Sequence, residues 1–209
     1  MKKFRKILSA VSAAVLCALP LINCAAVNAA SESEKINTYR VYVDVKENSG
    51  VCKCIVSSLY DGDNMRFQET KIGDLGGEVS NTSVGNQYVE CYYTASGNLA
   101  RAGTLFTMKY ISSNTYEETE KDFKIYSENS NGVKLSSDLI SRTAVLVGDA
   151  DGDGRVFLND VVCIEQFIGN PENYPLTNVR AADVNNDGVI TDEDALLIQK
   201  YNINLIKHF

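Results

Sequence analysis

Two acidic stretches near the C-terminus carry the residues with the clearest chemistry. The first, DADGDGRVFLND, holds four aspartates and two glycines. Carboxylates this close repel one another unless a cation lies among them. The spacing places oxygen ligands where a twelve-residue calcium-binding loop has them. These are Asp149, Asp151 and Asp153 at positions one, three and five, the backbone carbonyl of Arg155 at position seven, and Asp160 at position twelve.

The second stretch, DVNNDGVITDED, repeats this pattern and predicts a second Ca²⁺ site. Gly154 and Gly188, at position six of the two loops, suit a sharp turn with positive φ. Position twelve is Asp rather than the usual Glu, and position nine of the first loop is Phe157, which cannot hold a water ligand. We therefore expect two calcium ions, with the first site the weaker. The corresponding ligands of the second loop are Asp183, Asn185, Asp187, the carbonyl of Val189, and Asp194.

Helical segments that would position these ligands follow each loop. Gly169-Asn-Pro171 is predicted to end the first helix, and Thr177 to Ala182 predicts a short connecting helical turn. The repeat of loop and helix indicates an internal duplication that fills residues 148–209. The apolar residues at helical spacing are Val161, Val162, Ile164, Phe167 and Ile168, then Ala195, Leu196, Leu197, Ile198 and Tyr201.

The preceding region, residues 31–147, has the two-residue periodicity of β-strands. In the first such run, Tyr39, Val41, Val43 and Val45 alternate with Arg40, Tyr42 and Asp44. Similar runs lie around Cys91, Met108 and Ile125, and Gly, Asn and Asp punctuate the intervals. The pattern predicts a mainly β protein with a small α part, in which an antiparallel β-sandwich comes first. Ser136 to Arg142 is the candidate linker to the duplicated segment.

The N-terminus has the features of a secretory signal peptide over residues 1–30. Lys2, Lys3, Arg5 and Lys6 precede an apolar run, and cleavage is expected after Ala29 or Ala30. A lipoprotein signal that ends at Cys24 is the alternative. Loss of the four basic residues would change the net charge from −7 to −11. Such a surface disfavours nucleic acid and favours a divalent cation. We expect an exported protein that the membrane does not retain after cleavage.

The cysteines and the single histidine limit the possible chemistry. Cys52, Cys54, Cys91 and Cys163 remain after signal cleavage, and we expect free thiols. A Cys52–Cys91 or Cys54–Cys91 disulfide is the alternative, because exported chains often form them. His208 is the only histidine, which excludes a His-based catalytic triad.

The duplicated loop and helix, with Asp at position twelve, resembles a type I dockerin. The resemblance covers residues 148 to about 204 and implies a calcium-folded module that docks noncovalently onto a cohesin. It also implies a place in the cellulosomes of anaerobic fibre-degrading bacteria, where the protein would be extracellular and associated with the cell surface. The resemblance further implies partner-binding residues at loop positions ten and eleven and further along each helix. These are Leu158, Asn159, Glu165 and Gln166 in the first half, and Asp192, Glu193, Gln199 and Lys200 in the second.

The two halves differ at these partner-binding positions, which makes a rotated second binding mode doubtful. Leu158 and Asn159 are neutral, whereas Asp192 and Glu193 are acidic. A core position is the alternative for Leu158. For Cys163, Phe167 and Tyr201 we expect core packing.

The region from Tyr39 to Tyr126 resembles a cohesin, a flattened nine-stranded jelly-roll sandwich, although it is shorter at its front. The supporting stretches are VYVDVKENSGVCKCIVSSLYDGDNMRF and SGNLARAGTLFTMKYI. A cohesin followed by a dockerin resembles a small adaptor scaffoldin, which has no catalytic activity. This implies two partners: a cohesin of a larger scaffoldin, and other dockerin-bearing proteins.

Two other functions for the β region remain open. A carbohydrate-binding module is the main alternative, with Tyr88, Tyr92 and Tyr93 as a platform on which sugar rings stack. An enzyme is disfavoured, because the acidic residues form no recognisable acid/base pair and about 110 residues is small for a glycosidase. Glu90 shares a strand face with Tyr88 and Tyr92, which a solvated sheet face explains better than a cleft.

Overall fold

The computed structural model describes residues 35–84, 87–113 and 123–209. The predicted signal peptide lies outside these residues. Within them, no helix is both long enough and apolar enough to cross a bilayer.

The described residues of the first part of the chain form eight β-strands, where the sequence alternates between apolar and polar residues or is edged by turn residues. They are β1 (Asn37–Val45), β2 (Lys53–Leu59), β3 (Met65–Ile72), β4 (Glu78–Val84), β5 (Tyr88–Thr94), β6 (Gly103–Ser112), β7 (Phe123–Glu128) and β8 (Ile140–Leu146). The predicted strands around Val43, Cys91, Met108 and Ile125 are confirmed. The expectation of a linker at Ser136 to Arg142 is wrong, because a 3-10 turn at Ser137–Leu139 and the start of β8 occupy it.

The strands form two antiparallel sheets, with strand orders β3-β6-β1-β8 and β4-β5-β2-β7. We call these sheets A and B. The strand pairing is that of a jelly roll, in which one long hairpin is rolled up. The pairs that show this are β1·β8, β2·β7, β3·β6 and β4·β5. The predicted antiparallel sandwich is confirmed. Its core lies between the sheets and includes Val41, Val56, Tyr93, Phe106 and Met108.

The cysteines of the described residues are free thiols, as expected. Cys54 and Cys91 lie in the sandwich core, where burial raises the pKa of each thiol to about 12. These thiols therefore act as small apolar groups at neutral pH.

The C-terminal part forms three helices, α1 (Leu158–Gly169), α2 (Val179–Ala182) and α3 (Asp192–Asn202). The predicted connecting turn and the end of the first helix at Gly169 are confirmed. α1 and α3 pack together over a second core that contains Val161, Ile164, Ala195, Ile198 and Tyr201. Of the apolar residues at helical spacing, Val162, Ile168 and Leu196 are exposed, because the apolar stripe of each helix is wider than the surface it buries. Phe167 is only half-buried, and Cys163 packs at the margin of the core.

The C-terminal part lies against the outer face of sheet A. Tyr42 on β1, Val145 on β8 and Ala181 on α2 form a buried cluster of their own. The amide of Gly148 donates to the carbonyl of Ala181 (2.8 Å), directly after β8. The two parts are therefore in contact without a spacer.

Gly73 provides a test of the sandwich geometry. A methyl group there would lie 2.1 Å from the carbonyl oxygen of Thr104, far inside van der Waals contact. We expect Gly73→Ala to destabilise the chain by about 2–3 kcal/mol, as overpacking does. Differential scanning calorimetry would show this as a fall in Tm of about 10 °C. Gly97→Ala is the matched control, since its methyl group meets open space. Equal Tm values for the two variants would contradict the packing described between β3 and β6.

Candidate metal centre

The carboxylates of Asp149, Asp151 and Asp153 converge as the spacing predicts. One carboxylate oxygen from each residue lies within 4.8 Å of the other two. Backbone amides fold the loop around them: Gly154 donates to Asp149 Oδ2 (3.1 Å), Asp153 donates to Asp151 Oδ1 (3.0 Å), and Arg155 donates to Asp153 Oδ1 (2.8 Å). The loop thus gathers three acidic side chains at one point.

The electrostatics of this cluster indicate an unbalanced negative charge. Asp149 is only 6% exposed, and its Oδ1 is buried without a hydrogen-bond partner among the described residues. Burial raises the pKa of Asp149, and repulsion from Asp151 and Asp153 adds to the shift, while the amide of Gly154 opposes it. A buried, unpartnered carboxylate oxygen is costly unless a cation satisfies it.

The position-twelve carboxylate crosses the loop and holds its two ends together. Asp160 Oδ1 accepts from the amides of Ala150 (2.8 Å) and Asp151 (3.2 Å), and Oδ2 accepts from the amide of Phe157 (2.8 Å). Asp160 is buried, and burial raises its pKa against the opposing effect of these amides. Phe157 is the N-cap residue of α1, so this carboxylate also caps the helix.

The second loop repeats this arrangement almost atom for atom. Asp194 Oδ1 accepts from the amides of Val184 (2.8 Å) and Asn185 (3.2 Å), and its Oδ2 accepts from the amide of Thr191 (2.9 Å). Asp183 Oδ2 accepts from the amide of Gly188 (3.0 Å), as Asp149 does from Gly154. Asp187 Oδ1 accepts from the amide of Val189 (2.8 Å). The duplication read from the sequence is therefore also a duplication of local geometry.

Backbone conformation follows the same repeat. Gly154 and Gly188 have φ values of 85° and 89°, as expected for position six. The structure adds a second left-handed residue at position four, which is Gly152 in one loop and Asn186 in the other. Glycine and asparagine are the residues that adopt this region most readily, so their placement was a readable signal.

The donor set fits Ca²⁺. Carboxylate, amide and carbonyl oxygens are the hard ligands that this ion prefers, and the unpartnered Oδ1 of Asp149 is the kind of atom that it would coordinate. Arg155 and Val189, whose carbonyls were expected as ligands, lie on the exposed rims of the two loops. An ion in each loop would cancel the repulsion and fix the helix that follows.

The residues expected to bind a partner lie on the surface of α1 and α3. Leu158 is 60% exposed, so its alternative assignment to the core is wrong. The other positions are exposed as well, except Lys200, which is half-buried; they are Asn159, Glu165, Gln166, Asp192, Glu193 and Gln199. Sequence reasoning missed Val162 and Leu196, which lie one helical turn after Leu158 and Asp192 and are also exposed. The signal was present as an apolar stripe too wide for one buried face.

Comparison with known proteins separates the two parts of the chain. Residues 147–201 match the family model described as the dockerin type I domain. This segment is a type I dockerin domain. Type I dockerin domains are calcium-binding modules, in agreement with the loop geometry. The dockerin accounts for the second core and all three helices.

One curated relative is a xylanase/β-glucanase of Ruminococcus flavefaciens. It is 39% identical over 70 residues, which cover 28% of this chain and 9% of that protein. The chain thus matches less than a tenth of the length of that enzyme.

Three cohesins are among the solved structures similar to this chain. A non-cellulosomal cohesin from Archaeoglobus fulgidus has a TM-score of 0.40 at 16% identity and covers 49% of this chain and 75% of its own. A scaffoldin cohesin from Acetivibrio cellulolyticus, solved in complex with a dockerin, has a TM-score of 0.40 at 10% identity, with 52% and 87% covered. A type I cohesin from Pseudobacteroides cellulosolvens has a TM-score of 0.33 at 12% identity, with 57% and 74% covered. At these low scores, the sandwich is best described by its own strand pairing.

The outer face of sheet B is the other exposed surface with a distinctive composition. Strand register places Tyr92, Ile55 and Tyr126 in one row across β5, β2 and β7, and Leu59 lies further along β2. Tyr92, Tyr126 and Leu59 are exposed, and Ile55 is half-buried. Tyr93 was expected in an aromatic platform, but it points into the core and is 1% exposed, because neighbouring strand residues face opposite sides.

Glu90 on this face is held as a carboxylate. Tyr92, Ser57 (2.8 Å) and Tyr88 (3.1 Å) donate their hydroxyl groups to it. The hydrogen bonds from Tyr92 and Ser57 chiefly hold the pKa of Glu90 below its usual value. A general acid needs the opposite shift, so the geometry favours a solvated recognition face.

Proposed function

We propose that this protein is a non-catalytic adaptor of a cellulosome. Its dockerin, loaded with two calcium ions, docks onto a cohesin of a larger scaffoldin. The preceding sandwich, proposed as residues 31–147, receives other dockerin-bearing proteins. The protein is exported and stays at the cell surface through this noncovalent assembly.

The observation that carries the proposal is the separation of two exposed surfaces on one chain. The dockerin covers the part of the outer face of sheet A around Tyr42 and Val145, and it leaves Leu158, Val162 and Leu196 exposed on its helices. The outer face of sheet B, with Tyr92 and Tyr126, lies on the opposite side of the sandwich. Apolar and aromatic residues ringed by polar groups are typical of protein interfaces. Two partners can therefore bind at once.

The dockerin contacts the sandwich of its own chain, and this contact affects how binding between the separated domains is interpreted. Binding between separated sandwich and dockerin fragments would suggest that the adaptor polymerises with itself. Here the dockerin contacts sheet A, whereas the proposed receiving face is sheet B. Association of the two fragments is therefore expected and does not argue against an adaptor.

Two surface substitutions should separate the two docking reactions. We expect Leu158→Arg to weaken capture by a scaffoldin cohesin at least tenfold and to leave capture of dockerin-bearing proteins unchanged, because exposed Leu158 lies on α1. Tyr92→Ser on sheet B should do the reverse. Pull-down with the immobilised chain, followed by calorimetric titration of the captured partners, measures both. Exposed Arg66→Gln on β3 is the control. Loss of both activities in either variant would contradict two independent surfaces.

A carbohydrate-binding module is the second candidate for the sandwich. The observation in its favour is the row that Tyr92 and Tyr126 form on sheet B, since sugar rings stack on exposed aromatic faces. Retention of the chain on cellulose, xylan or starch, and its loss in Tyr92→Ser, would favour this function over the adaptor. Release of reducing sugar would instead indicate an enzyme.

A further inference from the structure

The contact between sheet A and the dockerin is centred on a buried arginine. Arg40 on β1 is 3% exposed. Its Nη1 donates to the carbonyl of Asp183 (2.8 Å), its Nη2 donates to the carbonyl of Val184 (3.0 Å), and Tyr42 Oη lies 3.2 Å from Nη1. A buried guanidinium is unfavourable unless its donors are satisfied, so these two carbonyls are essential partners of Arg40.

Further polar contacts surround this arginine. Arg180 on α2 forms a bidentate pair with Asp44 on β1, at 2.7 and 3.0 Å, and lies 4.3 Å from the centre of the Tyr42 ring. Thr104 donates its hydroxyl to the same Asp44 (2.7 Å). Lys71 on β3 donates to the carbonyl of Asn186. Residues of β1 and β3 thus make direct polar contacts with the dockerin, and Thr104 of β6 holds Asp44 in place.

The acceptors of Arg40 and Lys71 belong to the second calcium loop. Asp183, Val184 and Asn186 occupy its positions one, two and four. The amide of Val184 donates to Asp194 Oδ1, so the backbone held by Arg40 is the backbone that the position-twelve carboxylate braces. The sandwich therefore fixes the entrance of this loop from outside.

The first loop has no such dependence at the corresponding position. The carbonyl of Ala150, its position two, accepts from the amide of Asn178 within the dockerin (3.1 Å). At the equivalent place in the second loop, the acceptor is Val184 and the donor is Arg40 of the sandwich. The two loops thus have equivalent ligand positions, but the position-two carbonyl is held by the dockerin itself in the first loop and by the sandwich in the second.

We propose that the sandwich is a structural part of the second calcium site, so that calcium binding in this loop and docking of the dockerin on sheet A strengthen each other. The inference rests on the proposed second ion. An ordered entrance lowers the conformational cost of binding, so the sandwich raises the affinity for calcium. Linkage requires the converse, that calcium stabilises the contact between the two domains.

The sign of the effect separates this linkage from simple electrostatics. Arg40 and Lys71 are cations near a cation site, and Coulomb repulsion alone would make their removal strengthen calcium binding. Linkage through the backbone predicts that their removal weakens it. Arg66→Gln, on the exposed part of β3, removes one charge without touching the loop contacts and measures the long-range contribution.

Calcium titration of the full chain by calorimetry, in two backgrounds, tests the proposal. With Asp149→Ala, which disables the first loop, we expect Arg40→Gln to lower the affinity of the remaining site about tenfold, within the usual range of such couplings. Exposed Lys71→Gln, which cannot unfold the core, should lower it by a smaller factor. With Asp183→Ala, which disables the second loop, Arg40→Gln should leave the remaining affinity unchanged.

Small-angle scattering supplies a second readout, because it reports the contact between the two domains rather than the heat of calcium binding. The wild-type chain should expand after chelation, and Arg40→Gln should be expanded at moderate calcium concentration. Unchanged or increased affinity of the second site in Arg40→Gln would overturn the linkage, while two bound ions in the wild type would leave the adaptor proposal intact. Fewer than two ions in the wild type would instead overturn the proposed calcium sites.

Discussion

Chelation of calcium with EGTA is expected to remove the helical signal of residues 148–209. The dockerin core is small, and within each loop the carboxylates repel one another unless a cation lies among them. At about 1 mM Ca²⁺ and a Kd on the order of 10⁻⁶ M, each ion stabilises the folded state by about 4 kcal/mol. Two ions then contribute roughly as much as the whole stability of a small domain.

Far-UV circular dichroism at increasing EGTA measures this loss, and re-addition of Ca²⁺ should reverse it. Calorimetry supplies the internal control, because the transition of the β-sandwich should persist without calcium. Capture of a scaffoldin cohesin should disappear together with the helical signal. A chain that keeps both its helicity and its cohesin capture after chelation would refute calcium-dependent folding of the dockerin.

Removal of a position-twelve carboxylate should have the second-largest effect. Asp160→Ala and Asp194→Ala each leave three backbone amides without their acceptor and also remove a proposed calcium ligand. Hydrogen bonds to a charged group are worth about 1.5–3 kcal/mol each and are not additive within one network. We expect the dockerin to be destabilised by about 3–5 kcal/mol in either variant.

Chemical denaturation followed by helical signal at saturating Ca²⁺ measures this change. Exposed Asp192→Ala in the first turn of α3 is the control and should cost less than 1 kcal/mol. Asp160→Asn and Asp194→Asn keep one carbonyl oxygen. Their loss of stability should therefore lie between that of the alanine variants and that of the Asp192→Ala control. If the alanine variants are no less stable than the Asp192→Ala control, the carboxylates do not brace the loops.

The shape of the two acidic loops was predictable from sequence because their geometry is encoded locally. Spacing alone identifies Asp149, Asp151 and Asp153, and the structure brings them together. The helices begin two residues earlier than the loop ends suggest, at Leu158 and Asp192, because the position-twelve carboxylate acts as a helix cap. This cap depends on a side chain inside the helix, and in α3 the preceding Thr191 adds a second one, because its hydroxyl accepts from the amide of Glu193 (3.3 Å).

The strands and surfaces that sequence reasoning missed depend on distant contacts. β3 and β4 are largely polar edge strands, so no apolar alternation marks them. On β1, Arg40 and Tyr42 look like solvent-facing residues, yet both are buried, because the dockerin covers their face. No local pattern reports a surface that is buried by residues more than 100 positions away.

The direct passage from β8 into the first loop has a mechanical consequence. A cargo protein bound to sheet B would share the orientation of the scaffoldin arm that holds the dockerin, since the joint between the two has no spacer and is held by Arg40 and the Arg180–Asp44 pair. Movement of the bound proteins over a solid fibre would then depend on flexible linkers in the neighbouring proteins. The adaptor would act as a rigid connector that sets the orientation in which enzymes reach their substrate.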